Sequence, residues 1–218
     1  MSTAPTLSLE RSVLAQHPFV LSLDEVGRGA IAGPVAVGAA LMDEASARQA
    51  VPEGLRDSKL VTERRRPEVA ERAAAWAATT AVGWATAGEV DDLGIMRALG
   101  LAASRAITAV CDRIPDAASA FVLLDGNHDY VSAAHPVPLR VRAVVKGDRD
   151  CASISAASLV AKVARDDHMR MLHEEYGAYE WDRNKGYASA THREAIRALG
   201  LSPHHRASWA IADAPALF

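Results

Sequence analysis

An α/β domain around a mixed sheet is the fold class that this sequence predicts, on three observations. Two β-type apolar runs, 19–24 and 35–42, stand close together across a glycine-rich loop. Beyond residue 60, segments with helical composition or spacing alternate with further β-type runs. Finally, Ala120-Phe-Val-Leu-Leu-Asp125-Gly126 is apolar until it closes on Asp-Gly, which is how a strand buried on both faces and ending in a loop reads.

Taken in order, Phe19 to Asp24 has strand alternation, and Gly27-Arg-Gly-Ala-Ile-Ala-Gly33-Pro34 reads as a tight loop. Val35 to Met42 is small and β-branched and suits a second strand, and Thr79 to Ala87 suits a third. Between them, Thr62 to Ala78 is Ala-, Arg- and Glu-rich, a helix with Thr62 as N-cap. From Glu89 to Arg113, the spacing of Leu93, Met96, Leu99, Ala103 and Ile107 predicts one helix, ended by Pro115. Leu139 to Lys146 reads as a fifth strand. Ala152 to Tyr176 is the longest helix candidate, apolar early and charged late. The tail carries a loop at Asn184-Lys-Gly-Tyr187, a helix over Thr191 to Leu199, and Ser202-Pro-His-His-Arg206.

Half of the 218 residues are apolar, enough to bury one substantial core, and no repeat or long linker divides the chain. Cys111 and Cys151 lie far apart without zinc-like spacing and read as buried thiols. No basic-then-apolar leader opens the sequence and no charge-free run reaches membrane-span length, so a soluble cytoplasmic protein is expected. The net charge of −3 lacks the global basic signature of many nucleic-acid binders. Charge is uneven, however. Arg183, Lys185, Arg193, Arg197 and Arg206 face only Asp182 and Glu194 between the tryptophans at 181 and 209, and Arg64-Arg65-Arg66 follows Arg56 and Lys59. Singly, such runs are ordinary solvated helix faces.

Acidic side chains fall at three predicted strand ends: Asp24 with Glu25, then Asp125, then Asp148. The crevice beyond the strand ends of an open α/β sheet is the usual ligand site, and four carboxylates meeting there would bind hard divalent cations, Mg²⁺ or Mn²⁺. Two such ions can activate water against a phosphodiester. Alone, an Asp at a strand end is more often a turn former. Adjacent side chains on a regular strand point to opposite faces, so Glu25 is expected to join Asp24 only if the strand bends or stops, as Gly27 and Gly29 permit. The Gly27-Arg28-Gly29 backbone would also let a ribose 2′-hydroxyl approach, although Gly-Arg-Gly equally marks a tight turn.

Read together, Asp24-Glu-Val-Gly-Arg-Gly-Ala-Ile-Ala-Gly-Pro-Val35, Arg56-Asp-Ser-Lys59, Asp125-Gly126, Lys146-Gly-Asp148, Ser155-Ala-Ala-Ser-Leu-Val-Ala-Lys-Val-Ala-Arg-Asp166, Gly186-Tyr-Ala-Ser189 with His192, and His205-Arg206 resemble the ordered motif set of bacterial ribonuclease HII, a type 2 ribonuclease H. The resemblance implies a ribonuclease H-like fold: a mixed five-stranded sheet flanked by helices, with a small C-terminal helical portion. It divides a single domain over 1–218 into a core of about 18–176 and an extension of about 177–218. It makes Asp24, Glu25, Asp125 and Asp148 the catalytic metal ligands. Gly27, Arg28 and Gly29 would contact the 2′-hydroxyl and Tyr187 the sugar, with Lys59, Lys146, Ser189 and Arg165 among the substrate-binding residues. The implied activity is hydrolysis of RNA in RNA–DNA hybrids and 5′ to single ribonucleotides in duplex DNA, with two Mg²⁺ or Mn²⁺ ions, leaving 3′-hydroxyl and 5′-phosphate ends. The implied role is removal of misincorporated ribonucleotides.

Ala30, Ser189 and Trp209 depart from the family's usual residues, and Asp92-Leu-Gly-Ile-Met matches loosely; none of these removes a carboxylate. Lys162 and Arg165 suit phosphate contact or helix-surface ion pairing equally. Asp166 suits a structural partner rather than a fourth ligand. His192, His204 and His205 read as packed or capping histidines before proton donors. Tyr187 sits in a polar loop, where an aromatic face can stack on a nucleic acid. The rivals are an inactive nucleic-acid-binding module, which the four carboxylates disfavour, and a metal nuclease for a branched or single-stranded substrate. Monomer is the default state, and no protein partner can be read from the sequence.

Overall fold

A computed structural model describes residues 4–209; the remaining termini, including the end of the expected C-terminal extension, lie outside the described residues. The chain opens with α1 (Ser8–Leu14), the pair β1 (Val20–Val26) and β2 (Val35–Met42), α2 (Glu44–Arg48), α3 (Arg66–Trp76) and β3 (Thr79–Ala85). Then come α4 (Ala87–Leu93), α5 (Ile95–Arg113), β4 (Phe121–Asp125) and β5 (Arg140–Val144). The last helices are α6 (Gly147–Asp150), the long α7 (Ala152–Glu175), α8 (Trp181–Asn184) and α9 (Ala190–Leu199).

The strands form one five-stranded mixed sheet in the order β3-β2-β1-β4-β5. β2 is antiparallel to both β1 and β3, whereas β1, β4 and β5 are parallel. Strand alternation sorts the core onto two faces. Leu21 and Leu23 of β1 join Leu99 and Ile107 of α5 on one face, and Val20 joins Val69 of α3 with Ile154 and Leu159 of α7 on the other. A third cluster, with Ile31, Met169, Trp181 and Ile196, ties α8 and α9 to α7 and to the loop after β1. Close approach has a local cause at Gly38 of β2, where a Cβ would stand 2.1 Å from the Ala157 carbonyl oxygen of α7.

Several elements differ from expectation. The helix expected from Glu89 to Arg113 is two helices, because Gly94 takes φ +75° between them. Thr86 and Glu89 close a reciprocal capping box on α4, and Leu93 and Met96 are left exposed outside the apolar stripe. Before α3, residues Glu63–Arg65 form a 3₁₀ turn, and the Thr62 carbonyl, not its hydroxyl, accepts from Arg65 and Arg66. β3 and β5 end at Ala85 and Val144, short of the predicted Ala87 and Lys146. Helices α1, α2, α6 and α8 have no counterpart in the sequence pattern. Cys111 and Cys151 are free, and burial pushes the Cys151 thiol up to about 12. Among the described residues no helix is long and apolar enough to cross a membrane.

Candidate active site

The sheet opens a crevice where two ladders end unequally. β1 stays paired with β2 to Val26, opposite Ala36, but its pairing with β4 stops at Leu23 and Leu124. Asp24 and Glu25 therefore sit inside a regular strand that has lost its neighbour on one side. The expected bend or stop does not occur. The two side chains instead leave opposite faces: Asp24 is buried next to Ser158 of α7, while Glu25 accepts from the Tyr130 hydroxyl at 3.1 Å, on the α5 side. Both still line a single cavity of about 280 Å³, because the missing strand lets each side chain reach it around the strand end.

Asp125 ends β4 in the same cavity, and its Oδ1 accepts from the Asp148 amide at 3.1 Å. Asp148 is in α6 rather than in a turn. Lys146, held left-handed at φ 60°, redirects the chain, and the Ser155 hydroxyl donates to the Asp148 carbonyl at 2.6 Å. All four carboxylates thus line one cavity. Burial, then the Asp125 charge, holds the Asp24 carboxyl well above its ordinary value, and burial raises Asp125. Two cations offset the crowding: Lys59 lies 3.5 Å from Asp148, and Arg28 lies 3.4 Å from Glu25. Among the described residues no three acidic, His or Cys side chains are gathered tightly enough to hold an ion as they stand. The all-oxygen donor set and its surplus negative charge fit hard divalent cations.

Gly27 to Gly29 and Tyr187 line the same cavity as the acids. Gly27 has φ +81°, and a Cβ there would stand 2.0 Å from Arg165 Nε, so only glycine fits. Gly29 has no such constraint; nothing lies within 4 Å of a Cβ built there, which leaves its backbone open to a ligand. Tyr187 is 39% exposed, and its loop is bolted to the glycine loop by bonds from the amides of Ile31 and Ala32 to the Gly186 carbonyl, 2.9 and 3.2 Å.

Arg165 corrects the expectation of phosphate or surface contact. It is fully buried, donating to the carbonyls of Pro34, Lys185 and Ala32, with its guanidinium 5.7 Å from the Tyr187 ring centroid. Lys146 is exposed and does not line the cavity, and Ser189 caps α9 through a bond from the His192 amide. The site does not bring these three to the cavity. Asp166 pairs with Lys162 at 2.7 Å and Arg66 at 3.7 Å, as a structural partner should. Ser58, Ser158 and Lys162 line the cavity, and Tyr130 anchors Glu25 from behind it. Sequence reasoning does not nominate Ser58, Ser158 or Tyr130. A signal existed for one of them: Ser155, Ser158 and Lys162 recur every three or four residues through an otherwise apolar stretch, marking one polar face of α7.

The histidines are packed, as anticipated for His192 and His205. The Tyr187 carbonyl can only accept, so His192 Nδ1 donates to it at 2.8 Å, leaving His192 Nε2 to accept from Trp181 at 3.0 Å and from His205 at 3.1 Å. His205 Nδ1 in turn accepts from the Ser202 amide at 2.9 Å. Burial, then the neighbouring His192, pushes His205 down to about 4. The folded state thus favours neutral His205, so its contribution to stability is complete above the ordinary value near 6.5 and falls away as pH drops towards 4. Lowering pH from 7 to 5 is expected to cost about 2 kcal/mol through this residue, several degrees of Tm. Melting curves of His205→Gln should be flatter over that range; identical slopes would refute the assignment.

The Ribonuclease HII family model matches residues 21–212. Ribonuclease HII of Streptomyces avermitilis is 44% identical over 212 residues, 96% of this chain and 85% of that protein. The Paracoccus denitrificans protein of the same description is 42% identical over 210 residues, 94% of this chain and 92% of that one. Among solved structures, ribonuclease H2 from Pyrococcus horikoshii OT3 superposes with a TM-score of 0.67 at 23% identity, covering 88% of this chain and 94% of that one. Bst-RNase HIII in complex with Mn²⁺ superposes at 0.69 and 21% identity, covering 86% and 65%. These two establish the fold, and the sequence matches establish the family. The chain belongs to the ribonuclease HII family, endoribonucleases that act on RNA–DNA hybrids.

Proposed function

We propose that this enzyme also cuts duplex DNA 5′ to a single embedded ribonucleotide, at a site where Asp24, Glu25, Asp125 and Asp148 hold two Mg²⁺ or Mn²⁺ ions. The supporting observation is the convergence of four carboxylates, the Gly27-Arg28-Gly29 loop with its open Gly29 backbone and the exposed Tyr187 face on one cavity. When bound, such ions supply the charge that activates the attacking water and stabilises the leaving 3′-oxygen, giving 3′-hydroxyl and 5′-phosphate ends. The protein's share is placement. The glycine loop meets the 2′-oxygen, the group that separates RNA from DNA, and Tyr187 lies against the sugar. Lys59, exposed beside Asp148, and Arg28 are placed to steer phosphates towards the acids.

The test is cleavage of a labelled DNA duplex with one ribonucleotide, with Mg²⁺ or Mn²⁺, beside an all-DNA duplex and a single-stranded control. One cut 5′ to the ribonucleotide, absent from both controls, is expected. Equal cutting of the all-DNA or single-stranded substrate would favour a nuclease of different specificity.

A further inference from the structure

Arg206 belongs by sequence to the basic stretch of the tail, yet it is fully buried. It follows α9 on a segment that reaches back beneath the glycine loop. Its Nη2 donates to the carbonyls of Gly27 and Gly33 at 2.7 and 3.1 Å, its Nη1 to that of Arg28 at 3.0 Å, and its Nε to Gly33 at 3.2 Å. The Trp209 ring centroid lies 4.9 Å from its guanidinium carbon. No carboxylate pairs with it among the described residues. Burying a cation without a counter-ion is costly, and a neutral side chain of the same volume would avoid that cost. What a neutral side chain could not do is donate to three carbonyls of one loop at once.

The segment is anchored on both sides. Arg206 and Gly33 exchange backbone bonds with the facing chain, Arg206 N to Ile31 O at 2.9 Å and Gly33 N to His204 O at 2.8 Å. On the outer side the Asp91 carboxylate of α4 accepts from the amides of Ala207 and Ser208 at 2.8 and 3.0 Å. With the Gly27 and Arg28 carbonyls occupied, the groups of the loop left without a partner among the described residues include the amides of Arg28 and Gly29, beside the Gly29 carbonyl. We propose that Arg206 is a positioning residue for ribonucleotide selection, holding the Gly27 and Arg28 carbonyls towards the interior so that the loop offers amide donors to the 2′-oxygen. This rests on the ribonucleotide reading above.

The test compares kcat/KM on the one-ribonucleotide duplex with equilibrium binding of the all-DNA duplex of the same sequence. Arg206→Gln should lower kcat/KM at least thirtyfold while Kd for the all-DNA duplex stays within twofold, and Arg206→Lys should recover part of the loss. In Arg206→Gly, millimolar guanidinium chloride should raise kcat/KM at least threefold where equal sodium chloride does not. Asp91→Asn, which loosens the outer anchor, should give a milder loss of the same kind and decides the matter if the Arg206 variants do not fold. A folded Arg206→Gln with unchanged kcat/KM, or weakening of both duplexes by the same factor, would overturn the proposal, as would an unaffected Asp91→Asn. Failure of the underlying reading is distinguishable, since the unsubstituted enzyme would then leave the ribonucleotide duplex uncut.

Discussion

Asp24→Asn is expected to lower cleavage by at least about a thousandfold while leaving the metal-free protein as stable or more stable. Asp24 is the most enclosed of the four carboxylates, 7% exposed, and its charged form is opposed first by burial and then by Asp125, Glu25 and Asp148. The neutral amide of the same shape removes that penalty, together with one ligand of the proposed metal site. Two measurements check this. Single-turnover cleavage should collapse in the variant, and the rise in Tm that Mn²⁺ produces in the unsubstituted enzyme should shrink or vanish. Activity within tenfold of the original, or an undiminished metal-induced shift, would show that Asp24 is not a metal ligand.

Glu10→Ala is expected to cost about 3 kcal/mol of folding stability, measured by urea denaturation, although residue 10 lies far from the cavity in sequence. The long helix α7 carries no side-chain cap of its own at Cys151. Its start is capped from α1: Glu10, fully buried, accepts from the Ser153 amide at 2.9 Å and the Ser153 hydroxyl at 2.7 Å. A carboxylate there also meets the positive end of the helix dipole. Ser153 in turn bonds Ser22 of β1 at 2.7 Å, two residues before Asp24, so the cap and the site share one strand. Removing the carboxylate strands the buried Ser153 amide, takes one acceptor from the Ser153 hydroxyl and leaves a cavity. A loss under 1 kcal/mol would mean that water or a shifted side chain replaces the cap.

That α1 and its cap were invisible beforehand has a plain cause. Seven residues with one buried acid show no period long enough to register, and the partner of Glu10 is 143 positions away. The helix break at Gly94 was hidden similarly, because Leu93 and Met96 continue an apolar spacing that they do not use for packing. Arg165 and Arg206 were misplaced because composition treats arginine as a surface residue. Nothing local reveals that a run of loop carbonyls needs donors and that two guanidinium groups supply them from inside.

Strand alternation, glycine punctuation and the apolar run into Asp125-Gly126 were enough, by themselves, to determine an α/β domain on a mixed sheet, because a buried strand must be apolar and a tight turn needs special residues. The ordered motifs determined the family and nominated the four acids. Only the tertiary structure decided how adjacent residues on a regular strand come to share a cavity: pairing between β1 and β4 stops at Leu23, and the vacated edge lets Asp24 and Glu25 reach one space from opposite faces. Ladder length depends on where a distant strand ends, and no stretch of sequence around residue 24 contains that information.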